Sequence, residues 1–265
     1  MDTNIIYNED CLTTMSDRID EKSINIILTS PPYNMTKRKG GYADKQPRYD
    51  VYVDWKDEQE YIDWTTNIFQ SFDKVLKENG VILYNFSYST ENPSLPYKVI
   101  CAIMGSTEFT LADTIVWKKS NSIPHPASYN RLNRCYEFVY VICRKSEISS
   151  FQCNKKVVKV SPKNQKYYEI VDNIIFAKNN DGSNPLNKAT YSSELCDQLL
   201  KIYSSQDEVV YDPFIGTGTT AISCINNGLK YIGSEISKDQ VDFSYDRIKQ
   251  YAGGVEETNT GVGSR

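Results

Sequence analysis

The chain has 265 residues, 24% of them charged and 40% hydrophobic, with a formal net charge of −4 and a pI near 5.3. That composition suits one large globular α/β domain or two small ones, and it excludes a disordered or fibrous chain. No apolar run nears the roughly 18 residues of a membrane span. The acidic start MDTNIIYNEDCL lacks a basic-then-apolar signal pattern, so an intracellular, cytoplasmic protein with no membrane partner is expected. The seven cysteines, at 11, 101, 135, 143, 153, 196 and 224, form no C-x-x-C unit, and His125 is the single histidine. This argues against a zinc site, a disulfide framework and a Ser-His-Asp or Cys-His hydrolase, so no metal is expected.

In chain order, NIIY and SINIILTS read as strands, the second stopped by Pro31 and Pro32, which cannot donate to a sheet ladder. From Tyr61 the period changes. Tyr61, Ile62, Thr65, Ile68, Phe69, Phe72, Val75 and Leu76 recur at helical steps, and Gly80 of ENG is the expected stop. VILYNFS follows as a buried strand, completing a strand–helix–strand unit of a parallel sheet. FTLADTIVWKK and CYEFVYVICRK read as two more strands. Residues 146–180, rich in Lys and Asn with weak alternation, read as an inserted surface region. Leu195, Leu199, Leu200, Ile202 and Tyr203 mark a helix. Then come strand EVVYDPF, loop IGTGTT, helix AISCINNG, strand KYIGSEIS and a helix from Lys238 to Tyr251. The ending 252–265, polar and glycine-rich, reads as a flexible tail.

Two strand ends carry the chemistry. In VVYDPFIGTGTT, Gly216 and Gly218 allow a sharp turn and close approach of a ligand, and the helix start beyond offers free N–H groups. Glu235 ends the following strand, where an acid in a doubly wound fold grips ribose hydroxyls. The loop is neither G-x-G-x-x-G nor a Walker loop, and a tight turn without a ligand is the competing reading. In TSPPYN, ligands are expected at the carboxyl end of the strand. A rigid carbonyl and the Ser30 hydroxyl can accept hydrogen bonds from an amine, and the Tyr33 ring offers a flat face. A planar group bearing an exocyclic amine is a nucleobase. Basic residues gather at Lys37, Arg38, Lys39, Lys45 and Arg48, and again at Lys155, Lys156, Lys159, Lys163 and Lys166. Each cluster is either a phosphate-binding surface or a solvated face.

Together, TSPPYN and DPFIGTGTT resemble the amino-group DNA methyltransferases that use S-adenosyl-L-methionine, whose motifs are [D/N/S]-P-P-[Y/F/W] and F-x-G-x-G. The catalytic motif comes first and the cofactor motif last, as in the permuted β class. YNEDCL, VWKKSN, RLNRCYEFVYVICR and NKATYSSELCDQLL are further likenesses, although Asn187 and Ser192 stand where the family commonly has His and Pro. The resemblance implies a Rossmann-like methyltransferase fold with a mostly parallel seven-stranded sheet and one antiparallel strand. It also implies division into a catalytic half (1–145), a target-recognition region (146–180) and a cofactor half (181–251). Ser30, Pro31, Pro32 and Tyr33 would be catalytic. Asp10, Asp212, Phe214, Gly216, Gly218, Thr219 and Glu235 would hold the cofactor. Lys37, Arg38, Lys39, Lys155, Lys156, Lys159 and Lys163 would contact double-stranded DNA. Serine in the first motif position leans toward cytosine N4, with adenine N6 the alternative. More distant are an RNA or protein-amide methyltransferase and a non-catalytic nucleic-acid binding module. A companion restriction endonuclease and the choice of monomer or homodimer stay open.

Overall fold

The computed structural model describes residues 1–34, 56–88, 92–122, 132–181 and 190–260, with side chains described through Tyr251. Among the described residues there are ten strands: β1 (Ile5–Tyr7), β2 (Ile24–Thr29), β3 (Leu76–Phe86), β4 (Phe109–Lys119), β5 (Tyr136–Arg144), β6 (Val157–Val160), β7 (Lys166–Tyr168), β8 (Ile174–Ala177), β9 (Val209–Asp212) and β10 (Lys230–Ser234). The helices are α1 (Cys11–Asp17), α2 (Glu58–Val75), α3 (Leu95–Ser106), α4 (Ser193–Tyr203), α5 (Thr219–Asn226) and α6 (Lys238–Thr260).

Eight strands make one sheet in the order β1-β10-β9-β2-β3-β5-β4-β8. Within it β5 runs against its neighbours, pairing antiparallel with β3 and β4. The expected fold class therefore holds: an α/β sheet, mostly parallel, with one antiparallel strand. The eighth strand, β8, pairs parallel with β4 at the sheet edge. It comes from the 146–180 segment, so that segment is part of the main sheet as well as a surface insertion. The rest of the segment forms the hairpin β6–β7, exposed along both strands.

The central strands are apolar on both faces because helices cover both. On one face Ile27, Tyr84 and Phe86 pack with residues of α1, α2 and α3. On the other, Leu28, Leu83 and Val210 pack with residues of α4, α5 and α6. Each buried Leu, Ile or Phe contributes about 1.5–3 kcal/mol relative to exposure.

The helical stripe expected from Tyr61 onward is buried as α2, with Asp57 capping its start by accepting from the Gln59 amide at 2.9 Å. Its end differs from expectation. The helix stops at Val75, and Leu76 already pairs with Ile24 of β2. The left-handed residue beyond is Asn79 (φ 56°) rather than Gly80. Gly80 is small for a steric reason, since a Cβ there would lie 2.7 Å from Leu76 Cγ. Helices α1 and α3 have no counterpart in the sequence reading. In α3 the β-branched Val99, Ile100 and Ile103 look strand-like in isolation, but they fall on one helical face behind Pro96 in the first turn. Helix α6 continues past the expected stop at Tyr251 to Thr260, into the segment read as a tail.

Arg144, at the end of β5, ties the sheet to α2. It donates to Asp73 Oδ1 at 2.6 Å and to the carbonyls of Lys77 and Leu76 at 2.7 and 2.6 Å. Burial acts to raise the Asp73 carboxyl, but Arg144 and Lys22 outweigh it and hold it below its ordinary value of 3.8. A depressed folded-state value means stability that is full above the unfolded value and lost as pH falls through the folded one. Asp73→Asn is expected to cost about 1 kcal/mol at pH 7, small because the carboxylate is partly exposed. Urea unfolding should show the two proteins converging once Asp73 is protonated in both states; an equal gap at every pH would contradict this.

Candidate active site

The functional residues collect where parallel strands end. The tip of β9 is Asp212, fully buried. Its Oδ1 accepts from Thr29 Oγ1 at 2.7 Å and from the Phe214 amide at 3.0 Å. Its Oδ2 accepts from Thr220 Oγ1 at 2.5 Å and from the Tyr191 hydroxyl at 3.1 Å. Desolvation is the largest influence and raises the carboxyl above its ordinary value, while the four hydrogen bonds pull it back. The motif resemblance implies that Asp212 helps to hold the cofactor. Its side chain is absent from the cavity lining and fastens the end of β2, the glycine loop, the start of α5 and the segment before α4.

In front of it lies a cavity of about 270 Å³, lined by Ser30 and Pro32 from the catalytic motif and by Phe214, Gly216 and Glu235 from the glycine-loop side. Asp10 and Thr219 also line it. Gly216 (φ 53°) and Gly218 (φ 82°) are left-handed, as the sharp turn requires. Gly218 also faces Ser244, whose Cβ would stand 3.1 Å from an added Cβ. Glu235 Oε2 accepts from the Gly216 amide at 3.1 Å, and Oε1 accepts from the Ser237 amide at 2.8 Å. This fixes the carboxylate across the loop. Asp10 caps α1, accepting from the Leu12 amide at 2.8 Å.

Several lining residues are not legible as functional in the sequence. Trp64 of α2 lines the cavity and sits 5.6 Å, centroid to centroid, from the Phe214 ring. Its only sequence signal is a large aromatic three residues beyond Tyr61, off the buried stripe. Thr190 and Tyr191 also line the cavity, so the segment before α4 reaches the site. Ser192 caps α4 and donates to the Lys178 carbonyl at 2.9 Å, while Asn187 lies outside the described residues.

In the catalytic motif, the Pro32 carbonyl accepts from the buried Tyr61 hydroxyl at 2.6 Å. Tyr33 packs edge-on against Phe86, with centroids 5.2 Å apart. Its hydroxyl is 2.9 Å from Ser30 Oγ, 2.8 Å from Asn85 Oδ1 and 3.0 Å from Glu137 Oε2. Glu137 in turn accepts from Lys119 at 2.5 Å. Lys155, Lys156, Lys159, Lys163 and Lys166 are exposed on and beside the β6–β7 hairpin, away from the cavity lining. Lys37, Arg38, Lys39, Lys45, Arg48 and His125 lie outside the described residues.

Two substitutions test the Asp212 knot. Asp212→Ala strands four donors and is expected to cost about 3 kcal/mol or more. Asp212→Asn should cost much less, because the Phe214 amide and the Thr29 hydroxyl still meet an oxygen while the Thr220 and Tyr191 hydroxyls can turn to accept from the new amide nitrogen. Equal unfolding midpoints for the Ala variant and the wild type would contradict this reading. Gly218→Ala, strained in φ and crowded by Ser244, is expected to cost about 1–3 kcal/mol, read from the same unfolding curves.

Comparison with known proteins agrees with this geometry. The chain is 26% identical to the type II methyltransferase M.BglII of Bacillus subtilis over 276 residues, spanning 97% of this chain and 71% of that protein. It is 25% identical to the orphan methyltransferase M.BamHII of Bacillus amyloliquefaciens, spanning 89% and 93%. Among solved structures, the PvuII cytosine-N4-specific DNA methyltransferase shares the fold with a TM-score of 0.68 at 18% identity, covering 95% of this chain and 92% of that one. A Thermus thermophilus protein complexed with S-adenosyl-L-methionine gives 0.59 at 16% identity, covering 93% and 95%. The DNA methylase family model matches residues 24–246, which include both strand-end motifs, and the chain belongs to that family.

Proposed function

We propose that this DNA methylase transfers a methyl group from S-adenosyl-L-methionine to the exocyclic N4 of cytosine in duplex DNA, with the base turned out of the stack. The observation that carries the reading is the shared cavity: Ser30 and Pro32 line the same space as Phe214, Gly216 and Glu235. The donor set fits the cofactor of the family. Glu235 offers fixed carboxylate oxygens for a ribose diol, Asp10 and Gly216 border the same space, and Trp64 and Phe214 supply apolar surface. When bound, S-adenosyl-L-methionine supplies an electrophilic methyl group.

The chain's own part is positioning. Ser30 Oγ and the Pro31 carbonyl accept from the target amine, which turns the nitrogen lone pair toward the cofactor side of the cavity. The Pro32 carbonyl is already taken by Tyr61, which pins the Pro-Pro segment. Tyr33, held at both ring and hydroxyl, offers its face to the base. Orientation and preset hydrogen bonds then supply most of the acceleration. Extrusion of the base is required because an amine inside the stack cannot reach the cavity. Serine in the first motif position supports cytosine. The exposed lysines of the β6–β7 hairpin are the proposed phosphate contacts, joined by Lys37, Arg38 and Lys39.

Incubation with genomic DNA and cofactor, digestion to nucleosides and mass spectrometry should yield N4-methylcytosine; N6-methyladenine instead would move the target to adenine. Ser30→Ala is expected to lower single-turnover methylation by about 100-fold with cofactor affinity nearly unchanged. Glu235→Ala should instead weaken cofactor binding by about 10- to 100-fold in calorimetry. Equal loss of cofactor affinity in both would contradict this division of roles.

A further inference from the structure

Serine is an ambiguous acceptor. Its oxygen serves a target amine well only when its own proton points elsewhere. Aspartate and the carbonyl of asparagine, which the family motif also admits at this position, have no such ambiguity. Something must therefore turn the Ser30 proton away from the amine.

The neighbours of the Tyr33 hydroxyl decide the direction. Asn85 donates through Nδ2 to the Phe138 carbonyl at 2.9 Å, which fixes its amide so that Oδ1 faces Tyr33. Glu137 Oε2 also faces Tyr33, and its other oxygen accepts from Lys119 in an ion pair. Both groups can only accept, and Tyr33 has one proton to give. That proton is spent on this side. In the 2.9 Å contact between Ser30 and Tyr33, the donor must then be Ser30. The Ser30 lone pairs are left for the cavity that Ser30 lines.

We infer that Glu137, held by Lys119, is a positioning residue for methyl transfer: its charge-assisted bond draws the Tyr33 proton more strongly than the neutral Asn85 carbonyl does, and so turns the Ser30 proton away from the target amine. The topology makes this reach available. β5 is antiparallel, so its first residues stand at the edge where the parallel strands end. Lys119 and Glu137 are largely buried, with 16% and 15% of their side chains exposed, which keeps their attraction from being screened. Neither residue lines the cavity, so removal of the pair leaves the cofactor contacts in place.

The inference rests on the methyltransferase reading, and the test separates the two. Single-turnover methylation is measured for wild type, Glu137→Gln, Tyr33→Phe and the double variant, with cofactor affinity by calorimetry and DNA affinity by titration. Each single variant should lower the rate constant by about tenfold or more, with both affinities within about twofold of wild type. The double variant should be no slower than the slower single, because one broken link already frees the Ser30 proton. Tyr33→Phe keeps the ring, so it remains a test if Glu137→Gln does not fold. Multiplying effects, a rate within about twofold of wild type in either single variant, or cofactor affinity falling with the rate would overturn the inference. A wild-type protein that methylates no DNA would instead overturn the functional reading itself.

Discussion

A buried carboxylate with four donors is the constraint on which the rest of this site depends. Asp212 ends β9 with no contact to solvent, and its four hydrogen bonds come from four separate pieces of chain: Thr29, Phe214, Thr220 and Tyr191. Thr29 immediately precedes the catalytic motif and Phe214 opens the glycine loop. The two motifs lie about 180 residues apart in sequence, yet one side chain fixes their separation in space. Burial keeps the carboxyl above its ordinary value, so its ionisation works against the fold as pH rises through that value. Asp212 is therefore a source of geometry more than of stability at neutral pH, a common role for buried polar groups.

The sheet supplies the other half of the arrangement. Parallel strands β2, β9 and β10 bring their C-terminal ends to one edge, which places Ser30, Phe214 and Glu235 around a common space. The antiparallel β5 brings its N-terminal end to the same edge. Glu137 thus joins a site otherwise built from strand ends, together with Asn85 near the end of β3. A wholly parallel sheet would present the far end of that strand here, and the Tyr33 hydroxyl would lose this partner.

Much of this is legible in the sequence, and the exceptions have physical reasons. Strand β2 shows itself through a mostly aliphatic run and β9 through Val209 and Val210, and the Pro-Pro and Gly-x-Gly breaks mark their tips. The fold class and the meeting of Ser30 with Glu235 follow from that pattern. Helix α3 is hidden because β-branched residues on a buried helical face mimic a strand until packing decides. Strand β8 is hidden because Ile174 and Phe176 stay exposed while only Ile175 and Ala177 are buried, too short an alternation to stand out. The four hydrogen bonds of Asp212 are hidden because an acid beside a glycine loop looks the same in sequence whether it faces a ligand or the core. Glu137, Lys119 and Asn85 carry no motif; only the register of β3, β4 and β5 brings them to Tyr33. Among the described residues no helix is long and apolar enough to cross a membrane.

We propose that the serine-proline-proline-tyrosine turn and the glycine loop form one site for one cofactor and one amine. A crystal structure of the protein with S-adenosyl-L-methionine tests it most directly. The ribose hydroxyls are expected on Glu235 and the methyl group directed toward Ser30 within the cavity those residues share. A cofactor bound with its methyl group turned away from Ser30, or bound outside the wall formed by Phe214 and Gly216, would contradict it.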